Sequence, residues 1–263
     1  MNSEWFARWK AQHSLPDRIH RKDWEVAIVS EILDSNGCLT ENRHGVGYGC
    51  GSESLATYIA SRGPKVLATD LLQGEWSHIH GGFSALENER IQLRCVDMNW
   101  LKGESGKQSV EEGLYDFGWS VCSMDHCGST WLTKRFLLNQ MNCLKVGGLG
   151  VHTAEYTISS GLPRNGSTSW LDWNDMVDVQ NLMTQMGHEL APIDWSIGDS
   201  VEDHQMDLYP YGGRVHLKPE VHAGRWGTCV VFAAKRVSPK QFWIPVEEDI
   251  AREQLAQRSH SQM

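Results

Sequence analysis

The chain has 263 residues, of which 40% are hydrophobic, and a formal net charge of −9. This is enough for one large domain with a full hydrophobic core. The acidic balance disfavours nucleic acid as a partner, because a polyanion-binding protein normally presents a basic face. No uncharged apolar run approaches the roughly 20 residues of a membrane span, so the sequence predicts a soluble cytoplasmic protein.

Seven cysteines are spread along the chain, and none of them forms a Cys-x-x-Cys pair. An odd number of widely spaced cysteines, several of them within apolar runs, is typical of a reducing compartment. We expect buried thiols that pack as small hydrophobic side chains, and the sequence predicts no metal site from cysteine.

Helical and strand patterns alternate along the chain. An N-terminal extension, residues 1–40, contains a helix that Asp23 would cap and that ends near Ser35. A main domain, 41–238, follows, with an irregular stretch at 197–226, and a tail of 239–263 contains a possible helix at 247–257. The predicted strands are one leading into a glycine turn at 47–51, then 65–70, 91–97, 115–123, 149–156, 189–195 and 227–235; the predicted helices lie within 55–62, 136–144 and 173–186.

This alternation predicts an α/β protein with a mostly parallel sheet that helices cover on both faces. Ligands of such sheets bind at the carboxyl ends of the strands. The residues at those ends are therefore the candidates for a site: glycines at 47, 49 and 51, then Asp70, Asp97, the segment 122–126 and the segment 152–156.

The glycine turn, HGVGYGCGSES at 44–54, does not fit a dinucleotide fingerprint. No register of its glycines gives Gly-x-Gly-x-x-Gly. Glu53 stands where the next helix begins, and it would repel a pyrophosphate there although it suits the helix dipole. A cofactor that carries positive charge and no phosphate, such as S-adenosylmethionine, would not be repelled. Asp70 follows the turn by about 20 residues, the spacing of an acid that accepts both ribose hydroxyls.

In these features the sequence resembles the Rossmann-like, class I S-adenosylmethionine-dependent methyltransferases. The resemblance extends over roughly residues 20 to 236, and its central part is similar to a group of bacterial stand-alone methyltransferases with a Trp-Ser-x-Cys-Ser-x-acid-His-x-Gly element. The pieces that carry it are GYGCGSE at 47–53, KVLATD at 65–70, CVDM at 95–98, YDFGWSVCSMDHCG at 115–128, CLKVGGLGVHTAEY at 143–156, DLYPYGGRVHLK at 207–218 and GTCVVFAAK at 227–235.

The resemblance implies a Rossmann-like, doubly wound, mostly parallel seven-stranded sheet with an antiparallel last strand. It implies that the glycine turn approaches the cofactor's methionine end and ribose, that Asp70 holds the ribose hydroxyls and that Asp97 holds the adenine amino group beside Met98. Most members have an acid at the place of Gly47 and a glycine at the place of Glu53, so we expect Glu53 to supply the displaced carboxylate to the cofactor's ammonium. The predicted cofactor-binding residues are Gly47, Gly49, Gly51, Glu53, Asp70, Leu71, Asp97, Met98 and Cys122.

Methyl transfer to a hydroxyl requires a positioned acceptor and a group that removes its proton. His126 is the predicted base, with Asp125 as a substrate-binding residue and Glu155 as an orienting or substrate-binding residue. In the alternation of a strand, Glu155 and Thr153 share one face and His152 the other. The alternative is that His126 is a structural residue and that the acceptor is sufficiently nucleophilic by itself.

Two further clusters have open interpretations. His78 and His80 would form a metal site only with a third ligand, and a lid over the cofactor or acceptor is the preferred prediction. The second cluster is predicted to bind substrate through aromatic rings and cations, against the alternative of a solvated loop. Its members are Tyr209, Tyr211, Arg214 and His216.

Together these features predict an S-adenosylmethionine-dependent methyltransferase acting on a small polar molecule. A sugar, nucleotide-sugar or glycan-precursor hydroxyl is the preferred acceptor, by analogy with the resembling bacterial group. The alternatives are an NAD-dependent oxidoreductase and a non-catalytic cofactor-binding module of the same fold. The sequence does not determine an oligomeric state.

Overall fold

The computed structural model describes residues 3–71, 80–102, 108–159, 162, 164, 168–196, 198–208, 210–211, 215–222 and 224–245. Within these ranges no helix has the length and apolar character needed to cross a membrane. All seven cysteines lie in the described part and are free thiols, five of them buried, as the sequence predicts.

Two helices and a very short strand form the N-terminal region: α1 (Glu4–Gln12), β1 (Ile19–His20) and α2 (Arg21–Ser35). The sequence pattern did not reveal α1, whose buried residues are Phe6 and Trp9. The prediction that Asp23 caps α2 is wrong. The His20 ring caps the helix instead, because its Nδ1 accepts a hydrogen bond from the Lys22 amide at 3.1 Å.

The rest of the chain continues the alternation of strands and helices, and most predicted elements are present within a few residues of their expected bounds. The exceptions are the helix expected within 136–144, which begins at Thr130 and ends at Asn139, and the strand expected at 189–195, which ends at Leu190. The elements are β2 (His44–Tyr48), α3 (Ser54–Ser61), β3 (Lys65–Asp70), α4 (His80–Ser84), β4 (Ile91–Cys95), β5 (Tyr115–Val121), α5 (Thr130–Asn139), β6 (Leu144–Thr157), α6 (Trp173–Gln185), β7 (Glu189–Leu190), α7 (Val201–His204), β8 (Met206–Asp207), β9 (Val215–His216), β10 (Lys218–His222) and β11 (Arg225–Lys235).

The central sheet has the order β4-β3-β2-β5-β6-β11. The first five strands are parallel, β11 runs antiparallel to β6, and β7 pairs with β11. These seven strands confirm the predicted doubly wound sheet with an antiparallel last strand. Because the order reverses between β2 and β5, the carboxyl ends of these two strands border the crevice in which ligands of such sheets bind.

Short strands are where sequence and structure differ most. The stretch 197–226, expected to be irregular, contains β8 and β10, which extend the sheet beyond β11 to nine strands. It also contains β9, which pairs with β1 in a separate two-stranded ribbon. Strands of two to five residues carry too few alternations to produce a pattern, and Pro219 within β10 argues further against a strand.

Two hydrophobic clusters cover the two faces of the sheet, as the doubly wound arrangement requires. One contains residues of α5 and α6, including Phe136 and Val179. The other contains residues of α1, α2 and α3, including Trp9, Leu33 and Ile59. The N-terminal helix α2 packs on β5, β6 and β11, so its first turn reaches the carboxyl ends of the strands. The division at 40 and 238 stays a prediction, and the helix expected at 247–257 lies outside the described residues.

Candidate functional site

A cleft of about 350 Å³ opens at the carboxyl ends of β2, β3, β4 and β5. It collects side chains and backbone from five separate stretches of the chain, which the fold brings to one edge of the sheet. Nine of the predicted site residues line it: Gly49, Gly51, Glu53, Asp70, Leu71, Asp97, Met98, Cys122 and His126. The other residues in its wall are Lys22, Cys50, Val96, Asn99, Val121, Ser123 and Cys127.

The turn after β2 needs its glycines for conformation and for space. Gly49 has a φ of 62° and Gly51 a φ of 50°, in the left-handed region that disfavours side chains. A Cβ on Gly49 would also lie 2.5 Å from the Cβ of Ser123. The Asp70 carboxylate fixes this turn by accepting hydrogen bonds from the amides of Gly51 at 2.8 Å and Leu71 at 2.7 Å. Each of its oxygens retains a second lone pair for a ligand.

Gly47 does not line the cleft, although the sequence places it among the cofactor-binding residues. It lies within β2, and a Cβ there would approach the Trp119 ring to 2.5 Å. Trp119, on the neighbouring strand β5, is only 1% exposed and has no room to move. The space beside Gly47 is therefore filled by the Trp119 indole and the Cys50 sulfur, which accounts for the glycine.

Glu53 is the N-cap residue of α3, but its side chain makes no capping hydrogen bond. Instead the side chain faces the cleft, together with Lys22 and Asp70. Burial raises the pKa of Glu53 to about 8; Lys22 opposes the shift, and the carboxylates of Glu25 and Asp70 add to it. Near neutral pH, Glu53 is therefore mostly protonated until a cation enters the cleft.

Cys122 follows β5 and has a φ of 47°, which is unusual for a residue with a side chain. Its amide donates to Thr153 Oγ1 at 2.9 Å, and the Thr153 hydroxyl donates to the buried Glu25 at 3.0 Å. The Cys122 thiol lies 3.1 Å from Glu155 Oε1. Burial raises the thiol's pKa well above its ordinary value, so Cys122 is a neutral hydrogen-bond donor and not a nucleophile.

Glu155 is buried and forms an ion pair with Arg21 of α2. Thr153 and Glu155 share one face of β6, whereas His152 bonds to Ser120 on the other face at 2.9 Å, which confirms the predicted alternation. Glu155 is not among the residues that line the cleft. The residue next to the predicted base is Asp125, since Asp125 Oδ2 lies 3.4 Å from His126 Nε2.

His126 and Asp125 occupy a 3₁₀ turn, Met124–His126, directly after Cys122 and Ser123. The His126 side chain is 29% exposed and borders the cleft, whereas Asp125 is 1% exposed beneath it. Burial raises the pKa of Asp125; His126 opposes this shift and Glu155 adds to it. The arrangement gives a partly exposed imidazole backed by a buried carboxyl group, which can orient the ring.

The predicted substrate cluster lies elsewhere. His216, in β9, pairs with Asp207 and stacks on His20, with ring centroids 4.6 Å apart. Tyr211 packs edge-on against His216 at 4.9 Å. Neither His216 nor Tyr211 lines the cleft. The predictions for Tyr209, Arg214 and His78 fall outside the described residues.

The predicted lid segment is described from residue 80, where His80 begins α4. This helix lies against the glycine turn, because a Cβ on Gly82 would come within 2.5 Å of Ser52 Cβ. The backbone of α4 therefore approaches the turn closely. Whether it acts as a lid stays a prediction.

Arg21, Lys22 and Glu25 are the site residues that the sequence reasoning missed. All three come from α2, within the stretch RKDWE. A local signal was present, because Arg21 and Glu25 have the (i, i+4) spacing of an ion pair on a helix. Their position beside β5 and β6 depends on how α2 packs against the sheet, and a local sequence pattern does not predict that packing.

Ligand atoms of Cys122, Asp125 and Glu155 lie within 4.8 Å of one another, a spacing that suits a metal ion. The Arg21 guanidinium already bonds to Glu155 and lies 3.7 Å from the Cys122 sulfur. A protein cation thus provides the positive charge in this cluster, and a dication beside it would be repelled.

A scan against protein-family models gives no match, and a search of curated proteins gives none. Solved structures are similar in fold. A structure from Galdieria sulphuraria, provisionally described as a sarcosine dimethylglycine methyltransferase, has a TM-score of 0.55 at 12% identity over 89% of this chain and 98% of that one. Geranyl diphosphate C-methyltransferase from Streptomyces coelicolor has a TM-score of 0.52 at 13% identity over 90% of this chain and 94% of that one. The 1,6-didemethyltoxoflavin-N1-methyltransferase of Burkholderia thailandensis has a TM-score of 0.50 at 14% identity over 83% of this chain and 79% of that one. The chain has the Rossmann-like fold that these methyltransferases share.

Proposed function

We propose that the protein is an S-adenosylmethionine-dependent methyltransferase that acts on a small polar molecule. The observation that carries this proposal is the acidic lining of the cleft at the glycine turn. Glu53 lies at the N-terminus of α3, where a dinucleotide would put its pyrophosphate, and Asp70 and Asp97 line the same cleft. A carboxyl group at the pyrophosphate position disfavours NAD, and the three carboxyl groups together suit a ligand with an ammonium, a sulfonium and hydroxyl groups.

The residues present fit such a cofactor. Asp70, held by two backbone amides, would accept the ribose hydroxyls with its remaining lone pairs. Asp97 and Met98 would contact the adenine, and Glu53 would receive the ammonium. A volume of about 350 Å³ lies within the range of small-molecule sites, about 300–1,000 Å³. The bound cofactor would supply a methyl group already activated by its sulfonium.

His126 would remove the acceptor's proton, with Asp125 holding the ring. A base with a carboxyl partner is what a hydroxyl acceptor requires, and this supports a sugar, nucleotide-sugar or glycan-precursor hydroxyl as the acceptor. The net charge of −9 supports a small molecule over a nucleic acid, and the composition supports a cytoplasmic location.

Two measurements test the proposal. S-adenosylhomocysteine should raise the protein's melting temperature and NAD should not, because a ligand at 100 times its Kd stabilises by about 2.7 kcal/mol. Stabilisation by NAD alone would establish the oxidoreductase alternative. Methyl transfer from labelled cofactor into a metabolite extract should then be detectable, whereas binding without any transfer would establish the non-catalytic module.

A further inference from the structure

Lys22 brings a cation from the N-terminal helix into the cleft. It lies in the first turn of α2, and its side chain is 40% exposed. It lines the cleft together with Glu53 and Cys122. Among the cleft residues that the structure describes it is the only lysine or arginine.

The charge of Lys22 is only loosely matched by the protein itself. Its nearest carboxylate, Glu25, lies 3.9 Å away, beyond hydrogen-bond distance. Glu25 is occupied elsewhere, because one oxygen accepts from Thr153 at 3.0 Å and the other lies 3.6 Å from Arg21. Glu155 in turn is paired with Arg21. The Cys122 sulfur is a further hydrogen-bond partner of Lys22. An ammonium has three N–H donors, so Lys22 still retains capacity for an incoming anion.

Lys22 also remains charged. Burial is the largest effect and lowers its pKa, but Glu25 and Cys122 together outweigh burial, and the pKa of Lys22 lies above its ordinary value. Lys22 is close enough to Glu53 to oppose the rise in the pKa of that carboxyl group. The lining of the cleft therefore presents an ammonium and a carboxyl group that interact electrostatically.

The surroundings select the class of anion. The Asp70 carboxylate in the same cleft repels a phosphate dianion more strongly than a monoanion, so a partner with a single negative charge suits Lys22 better. An α-amino acid group carries such a charge, as a carboxylate one carbon away from an ammonium. Lys22 and Glu53 line the same cleft and match these two charges in sign once Glu53 ionises against the ammonium.

We propose that Lys22 binds the carboxylate of the cofactor's methionine portion while Glu53 binds its ammonium, so that α2 forms part of the cofactor site. This inference rests on the proposed function. It adds a binding residue from the segment that the sequence treats as an extension. Glu25, Arg21 and Thr153 hold the first turn of α2 in place and are positioning residues.

The test removes the carboxylate from the ligand and the ammonium from the protein independently. Binding of S-adenosylhomocysteine, its decarboxylated form and 5′-methylthioadenosine is measured calorimetrically for wild type, K22M and the control K65M. Lys65 is exposed at the opposite end of β3. K22M should weaken the binding of S-adenosylhomocysteine about 10- to 100-fold, the effect expected from losing a charge-assisted hydrogen bond. It should change the affinity for the other two ligands less than about twofold.

The outcomes separate the two proposals. If wild type binds none of the three ligands, the proposed function fails, and the inference with it. If wild type binds them but K22M weakens the binding of S-adenosylhomocysteine and of its decarboxylated form by the same factor, the inference alone is overturned. Retained binding of 5′-methylthioadenosine shows that K22M is folded, and K22Q gives the same comparison should K22M not fold. K22R, which keeps the charge, should retain affinity for S-adenosylhomocysteine within about fivefold.

Discussion

Arg21, the first residue of α2, forms a buried ion pair with Glu155 near the end of β6. The same guanidinium lies 3.6 Å from Glu25 and 3.7 Å from the Cys122 sulfur. Two strand ends of the sheet are thereby joined to a helix from the start of the chain. The contact holds the wall of the cleft at Cys122, where the backbone is in the left-handed region.

Replacing Arg21 with Met should reduce the free energy of unfolding by about 3–5 kcal/mol, because the Glu155 carboxylate would remain buried without a counter-ion. Urea denaturation measures this loss. The double variant R21M/E155Q should recover part of it, since the uncompensated charge is removed. The control is R62M, because Arg62 and Asp34 are both partly exposed and 4.0 Å apart, and its cost should be below about 1 kcal/mol. Equal losses for R21M and R62M would mean that the buried pair has no special role.

Replacing Gly47 with Ala should reduce the free energy of unfolding by about 1–3 kcal/mol, because the new methyl group would meet the Trp119 ring. G47D, which introduces the acid usual in the resembling family, should cost more and should not strengthen cofactor binding. G118A is the comparison on the adjacent strand, since its Cβ would have no neighbour closer than 3.3 Å. If G47A is as stable as G118A in urea, Trp119 is not the constraint.

Glu53 should make stability depend on pH in a definite direction. Its pKa is about 8 in the folded protein against an ordinary value of 4.5, so between these values the folded state binds the extra proton. The free energy of unfolding should therefore fall as pH rises from about 5 to 8. E53Q should remove about 1–2 kcal/mol of this decline, whereas E87Q, an exposed control, should not change it. Parallel pH profiles for wild type and E53Q would contradict the shifted pKa.

The same residue should link cofactor binding to proton release. E53Q should weaken S-adenosylhomocysteine several-fold or more, because the amide cannot supply the charge of a carboxylate. In wild type, binding near pH 7 should release a proton as Glu53 ionises against the ammonium. Calorimetry in buffers of different ionisation enthalpy measures that proton. An unchanged Kd in E53Q, or binding without proton release, would remove Glu53 from the cofactor site.

His126 should act on the chemical step. H126A should lower kcat about 100-fold or more for a hydroxyl acceptor while leaving the Kd for S-adenosylhomocysteine within about twofold. D125N should lower kcat less and alter the pH dependence of kcat, since Asp125 orients the ring. H204A, an exposed histidine of α7, is the control. Full activity in H126A would favour an acceptor that needs no base.

The features that the sequence predicted correctly are those with local or regularly spaced signals. The parallel strands, the glycine turn and the acids at the ends of β3 and β4 each follow from a few adjacent residues. The reason for Gly47 is only partly local, because its space is filled by the nearby Cys50 sulfur and by the Trp119 ring of β5. Lys22 and Arg21 were missed for a similar reason, since their role depends on the packing of α2 against strands more than 90 residues further along the chain.

The helix cap is a related case. Asp23 is a preferred N-cap residue, and propensity therefore favoured it. In the structure it lies inside the first turn and binds Arg18 at 3.0 Å, while His20 caps the helix and pairs through β1 with β9. Tertiary contacts thus decided where α2 begins, and this shift brings Arg21 and Lys22 into the first turn.

The pairing of Ile19 and His20 with Val215 and His216 has a consequence for synthesis. During translation the first helices emerge long before the ribosome has made their partner strand. The start of α2 can be held by β9 only after residues 215–216 have been made. A nascent chain, or one truncated before β9, would therefore form the glycine turn and the parallel strands while lacking the ribbon that anchors Arg21 and Lys22, so the binding site would be complete only once β9 has been synthesised.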